Sequence, residues 1–170
     1  MLMTILQQVP GRIWILLLTL IALGLSQTMP RRRKPRSATI LPAIMIALSF
    51  YGVVSAFPTQ PLALASWAAG VAAAVMLCSS AGTWSGIQWS EAERRLLVPG
   101  SWVPLALILG LFAVKFGVGV ALAMHPELAR NTSFATWISL AYGLFSGGFL
   151  ARGVAMWKVA NQALQRSVFG

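Results

Sequence analysis

Apolar residues gather into five runs separated by polar breaks: 13–25 (IWILLLTLIALGL), 39–57, 62–78, 102–124 and 134–157. A hydrocarbon layer of about 30 Å asks for about 20 helical residues. The fourth and fifth runs meet that length comfortably. The first is short and needs its flanks, which places Arg12 and Gln27 at its two interfaces. The pattern predicts helices over approximately residues 12–28, 39–57, 61–79, 101–124 and 133–157. That is an all-α fold, a polytopic transmembrane bundle of about five helices forming a single integral membrane domain over residues 1–170.

The breaks carry their own signals. Residues 28–38 hold Arg31, Arg32, Arg33, Lys34 and Arg36, interrupted by Pro30 and Pro35, and read as an exposed basic loop. Pro58-Thr59-Gln60-Pro61 is a turn that does no more than reverse the chain. Residues 79–100 form the long polar loop. There GIQW and RLLV flank SEAER, a pattern that fits a short interfacial β-hairpin or an amphipathic interfacial helix. Residues 125–132 make a short exit loop, and the tail beyond Trp157 continues as polar helix. Pro42 and Pro104 are expected in the first turns of their helices, where a missing N–H costs nothing.

Composition strengthens the membrane reading. Of 170 residues, 58% are hydrophobic and 9% charged, whereas a soluble domain is about 25% charged. Too few charges exist to cover a globule against water, so its surface faces lipid. Net charge is +10, from 13 Lys and Arg against three acidic residues, all Glu. A basic nucleic-acid binder needs a soluble domain to display that charge. None is left once the apolar runs are removed, and no nucleic-acid partner is expected.

The basic residues are instead unevenly shared among the loops. The first loop has five, the third has Arg94 and Arg95, and the C-terminal end has Arg152, Lys158 and Arg166; the second has none and the fourth only Arg130. Cytoplasmic loops retain Lys and Arg, so this alternation predicts an N-terminus outside and a C-terminus in the cytoplasm. The first segment has the charge order of an uncleaved anchor and not of a secretory signal, because RRRK follows its apolar core. The basic run then has two readings: a topology determinant that also attracts anionic headgroups at about 1 kcal/mol per residue, or a docking site for a partner protein. Trp14, Trp67, Trp84, Trp89, Trp102, Trp137 and Trp157 mostly lie near predicted helix ends, where amphipathic indoles anchor at the headgroup level.

Candidate chemistry is sparse. Cys78 is the lone cysteine, His125 has no companion ligands, and the three Glu residues fall in loops. No catalytic, cofactor or metal site is expected, and no enzyme. Lys115, near the middle of the fourth helix, is the exception, since an intramembrane ionisable residue is by default a functional-site hypothesis. Its nearer helix end is about 13 Å away at the helical rise, and side chains lean toward the opposite, N-terminal end. Three states fit it: hydrogen-bonded by Tyr51, Tyr142, Ser49 or Ser146; neutral through desolvation; or facing a hydrated cavity that takes an anionic ligand. Arg152, near the cytoplasmic end of the last helix, is expected to reach the headgroups.

The last helix also carries a packing signal. Ala135, Ser139, Gly143, Gly147, Ala151 and Ala155 recur every fourth residue, a face that lets another backbone approach closely. The fourth helix has Gly110, Ala113, Gly117 and Ala121, and the third Ala65, Ala69 and Ala73. Such faces serve packing within one chain or a homo-oligomer.

With VPGSWVPLALILGLFAVKFGVGVALAM, preceded by LPAIMIALSFYGVVSAF and followed by YGLFSGGFLARG, the chain resembles small polytopic bacterial inner-membrane proteins grouped as an uncharacterised domain of unknown function. The resemblance implies a helical membrane fold in a bacterial inner membrane and carries no activity, substrate or catalytic residue with it. The expected role is a non-enzymatic component or accessory of a membrane assembly, its partners the bilayer, its anionic headgroups, and a membrane protein or a second copy. The alternative is a small transporter or permease that binds an anion at Lys115, in a cavity lined by Tyr51 and Tyr142.

Overall fold

Five helices dominate the computed structural model, which describes residues 11–33, 35–90, 93 and 95–169 and is 78% helical. In chain order they are α1 (Gly11–Leu25), α2 (Pro35–Ala56), α3 (Pro61–Ser80), α4 (Val103–Met124) and α5 (Thr132–Phe169). Three short strands, β1 (Arg31–Arg33), β2 (Gln88–Ser90) and β3 (Arg95–Val98), occupy the loops after α1 and α3. A 3₁₀ turn, Pro126–Arg130, joins α4 to α5. The side chain of Asn131 accepts the Phe134 N–H at 3.1 Å and so caps the start of α5.

The long last helix is the axis of the bundle. α2, α3 and α4 each pack against α5, most extensively α3, while α1 docks on α4. Half of the apolar window of α5 is buried, against 17% for α3 and 22% for α4. Those two helices therefore turn most of a highly apolar surface outward. Ile15, Leu18, Ile44, Met76 and Leu77 are exposed in the same way. Pro61–Ser80, Val103–Met124 and Thr132–Ala163 are each long and apolar enough to cross a bilayer, and Ile40–Ala56 is a shorter apolar stretch. Exposed apolar helices of that length are stable in lipid and not in water; this is a membrane protein.

Inside, Met45 and Val53 of α2, with Phe57 just after it, meet Ile108 and Leu111 of α4 and Tyr142 and Phe149 of α5. A second core lies at the end of the bundle that carries the strands. Ile87, Leu96 and Val98 cover Met156 and Ala160 of α5. This is where α5 outruns the membrane: its 38 residues span about 57 Å at the helical rise, well beyond a core of about 30 Å.

Several expectations need correction. α2 begins at Pro35 and not at residue 39, so Pro42 lies inside the helix and not in its first turn. Its ring is accommodated by α5, where a Cβ added to Gly153 would come within 3.2 Å of it. The basic break is not wholly loop either. Arg31–Arg33 is an edge strand paired antiparallel to β3, with Arg32 opposite Leu97. The polar loop after α3 takes the hairpin form, β2 pairing with β3 through Trp89 and Leu96, and the sheet order is β1-β3-β2. In β3 the alternation of exposed Arg95, buried Leu96 and buried Val98 is what selects strand over helix, because one face must cover α5.

Candidate functional site

Lys115 is half-buried on α4, and its Nζ lies 5.7 Å from the centre of the Tyr51 ring on α2. At that distance the ring's negative face attracts the ammonium. Tyr51 itself is 65% exposed, so the pair sits on the outward side of α2. Gly119, one turn beyond Lys115 on the same face of α4, has open space where a side chain would stand. Among the described residues no glutamate belongs to a helix: Glu93 falls between β2 and β3, and Glu127 is in the 3₁₀ turn. Glu127 pairs with His125 at 3.1 Å, and it is twelve residues, about 18 Å of helical rise, from Lys115.

Of the other side chains expected around Lys115, none is drawn to it by a described contact. Tyr142 is buried on α5 and lays its ring against Gly52, 3.4 Å from where a Cβ would be. Gly52 follows Tyr51 and so faces about 100° away from it. Ser49 and Ser146 are likewise engaged elsewhere. Trp67 Nε1–H of α3 donates to Ser49 Oγ of α2 at 2.8 Å. Ser49 and Ser146 hydroxyls lie 3.0 Å apart, and Ser146 donates to the Tyr142 carbonyl at 2.6 Å. Read in one direction, indole to Ser49 to Ser146 to carbonyl, every donor has an acceptor. This chain ties α2, α3 and α5 together in the apolar interior. Ser139, equally buried, has no hydrogen-bond partner for its Oγ among the described residues.

Ser139, Gly143, Gly147 and Ala151 form a continuous buried row on α5. Gly143 and Gly147 lie on α3: a Cβ on Gly143 would collide with the Trp67 carbonyl, and one on Gly147 would stand 2.7 Å from Ala74 Cβ. The contacting row of α3 is Ala63, Gly70 and Ala74, not Ala65, Ala69 and Ala73, of which Ala65 and Ala69 are exposed. A side chain at Gly70 would meet Gly143 Cα within 3.1 Å. Ser66-x-x-x-Gly70-x-x-x-Ala74 is itself a small-residue repeat, and that spacing was the signal for it. On α4, Gly110 is filled by the Phe145 ring, whereas Ala113 and Gly117 face outward.

At the strand-bearing end, Arg152 is buried with its guanidinium 5.2 Å from the centre of the Trp84 ring. It does not extend along the surface to the headgroups, because the chain after α3 folds back over α5 and brings the indole onto it. Gly82 makes that reversal. With φ at +61° it adopts the left-handed conformation that favours glycine, and the Thr83 N–H returns to the Cys78 carbonyl at 3.3 Å to close the end of α3. Trp102 and Trp137 are exposed near helix starts and Trp157 is exposed well inside α5, but Trp67 is turned inward to Ser49. The side chains of Arg31, Arg32, Arg33 and Arg36, and the whole of Lys34, lie outside the described residues.

No curated protein matches the chain, and no solved structure does. One family model matches over residues 1–166, and the protein therefore belongs to that family of unknown function, DUF6622.

Proposed function

We propose that the protein is a non-enzymatic, multi-pass component of an assembly in the bacterial inner membrane, with its N-terminus outside and its C-terminus in the cytoplasm. The Lys115–Tyr51 pair is where it meets its partner. The observation that carries this reading is the outward position of the pair, with no glutamate on a helix among the described residues. A lysine at mid-helix in a bilayer is costly unless a polar or acidic group completes it. Tyr51 supplies a ring face and no charge. A carboxylate on a partner's membrane helix, laid against α2 and α4, supplies the rest. Gly119, one turn from Lys115 on the same face of α4, leaves room there for a helix to come close.

The second reading, a permease whose Lys115 holds a small anion, draws on the open space beside Gly119. Native mass spectrometry of protein released from nanodiscs prepared from native membranes, wild type beside Lys115→Met, separates the two. A complex present in the wild type and dissociated in the variant is the expected result. A small anionic adduct lost in the variant, on an otherwise monomeric protein, moves the assignment to the permease. Monomers without adducts in both samples sink the two together.

A further inference from the structure

We infer that the cleft between the end of α3 and the second half of α5 is a binding site for one anionic phospholipid. The cleft is a cavity of about 330 Å³. Its deep wall is apolar, made by Val75 of α3 with Ala151 and Val154 of α5. Its rim is polar, with the ammonium of Lys158 and the hydroxyl of Ser85, and Trp84 stands beside them. No acidic residue lines it among the described residues. Lys158 is exposed, so its charge is available to a ligand.

The position of these groups argues for a lipid and against a soluble anion. α3 ends at Ser80, so the rim lies where the chain leaves its apolar span. The apolar wall runs back along α3 and α5 toward the interior of the membrane. A phosphodiester at Lys158 and Ser85 would therefore place an acyl chain along Val75 and Val154, with the indole at the depth that tryptophan prefers. The Gly82 turn shapes the rim, since the Ser85 N–H bonds the Gly82 carbonyl at 3.0 Å. Ser79 contributes shape and no donor, as its hydroxyl is already given to the Val75 carbonyl at 2.6 Å. Basic residues cluster at this end of the bundle, which raises the local concentration of anionic headgroups. The site is independent of Lys115, which belongs to the middle of α4.

The cleft carries its own reporter. Cys78 lines it and is the single cysteine of the chain, so a small maleimide reads occupancy in the wild-type protein. Alkylation is followed in nanodiscs of phosphatidylglycerol, in nanodiscs of phosphatidylcholine, and in phosphatidylcholine nanodiscs with added inorganic phosphate. We expect alkylation to be about fivefold slower in phosphatidylglycerol alone, the worth of one basic residue at an anionic headgroup. Lys158→Gln should abolish the difference and Lys158→Arg should keep it. An anionic surface also slows thiol chemistry by attracting protons, so the bulk pH of the phosphatidylglycerol samples is raised to match surface pH, and the difference that remains reports the cleft. Equal rates in the two lipids would overturn the inference, as would slowing that survives in Lys158→Gln. Protection by inorganic phosphate in phosphatidylcholine would overturn it in favour of a free-anion site.

Discussion

Two buried serines of the same bundle make opposite predictions. Ser49 accepts from the Trp67 indole and contacts both Ser146 and the Tyr142 carbonyl. Its replacement by alanine leaves that indole N–H facing an apolar interior. Ser49→Ala is expected to cost about 1–2 kcal/mol, in the range of a lost interhelical bond plus an orphaned donor. Ser139 is as deeply buried but has no partner for its hydroxyl among the described residues, so Ser139→Ala should be neutral or stabilising. Thermal unfolding of the two variants in one detergent checks the contrast, and the order would have to be inverted to refute it. At this scale the sequence told which residues are unusual but not whom they meet. Lys115 stood out because a charge at mid-helix is rare. Nothing in the spacing showed that Tyr51 and Tyr142 lie on different sides of α2. Arg152 was misread because α5 was taken to end near the headgroups, whereas the Trp84 turn closes over it.

Between elements, the glycines decide how near two helices come. Gly143 leaves no room for a methyl group, since its added Cβ would run into α3. Gly117 has nothing near it. Gly143→Ala should therefore destabilise by about 1–3 kcal/mol, the usual cost of overpacking. Gly117→Ala should be neutral or gain up to about 1 kcal/mol from helix propensity. Denaturant titration of both in mixed micelles measures the pair. Equal losses would mean that α4 is packed where the structure leaves it open. The α5 row was legible because its small residues stand out among larger ones every fourth position. The α3 row is harder to read, because α3 is rich in alanine all round and its one glycine, Gly70 in Ser66-x-x-x-Gly70-x-x-x-Ala74, is the sole mark that singles out the face meeting Gly143. The strand at Arg31–Arg33 was hidden for a different reason. Its pairing is non-local, made with β3 across two helices of intervening chain, and three arginines between prolines look like loop to any local rule.

For the whole molecule, the alternation of loops fixes which segments share an end, and hydrogen bonds close each end. Gln60 after α2 donates to the Arg130 carbonyl before α5 at 2.9 Å. At the other end β1 pairs with β3, and the Ser101 N–H bonds the Gln27 carbonyl at 3.1 Å. The loops rich in Lys and Arg share the second end and leave Arg12 and Arg130 at the first, so the positive-inside rule favours the proposed orientation. That orientation is tested with single cysteines in a Cys78→Ser background, at exposed Thr59 on one end and exposed Thr83 on the other. Neither change removes a charge. A membrane-impermeant maleimide should label Thr59→Cys in intact cells and Thr83→Cys only after permeabilisation. The reverse pattern would turn the protein over and put the α3–α5 cleft in the outer leaflet. It would leave the seam of Gly70, Gly143 and Gly147 untouched, because backbone contact in lipid depends on shape and not on which side faces the cytoplasm.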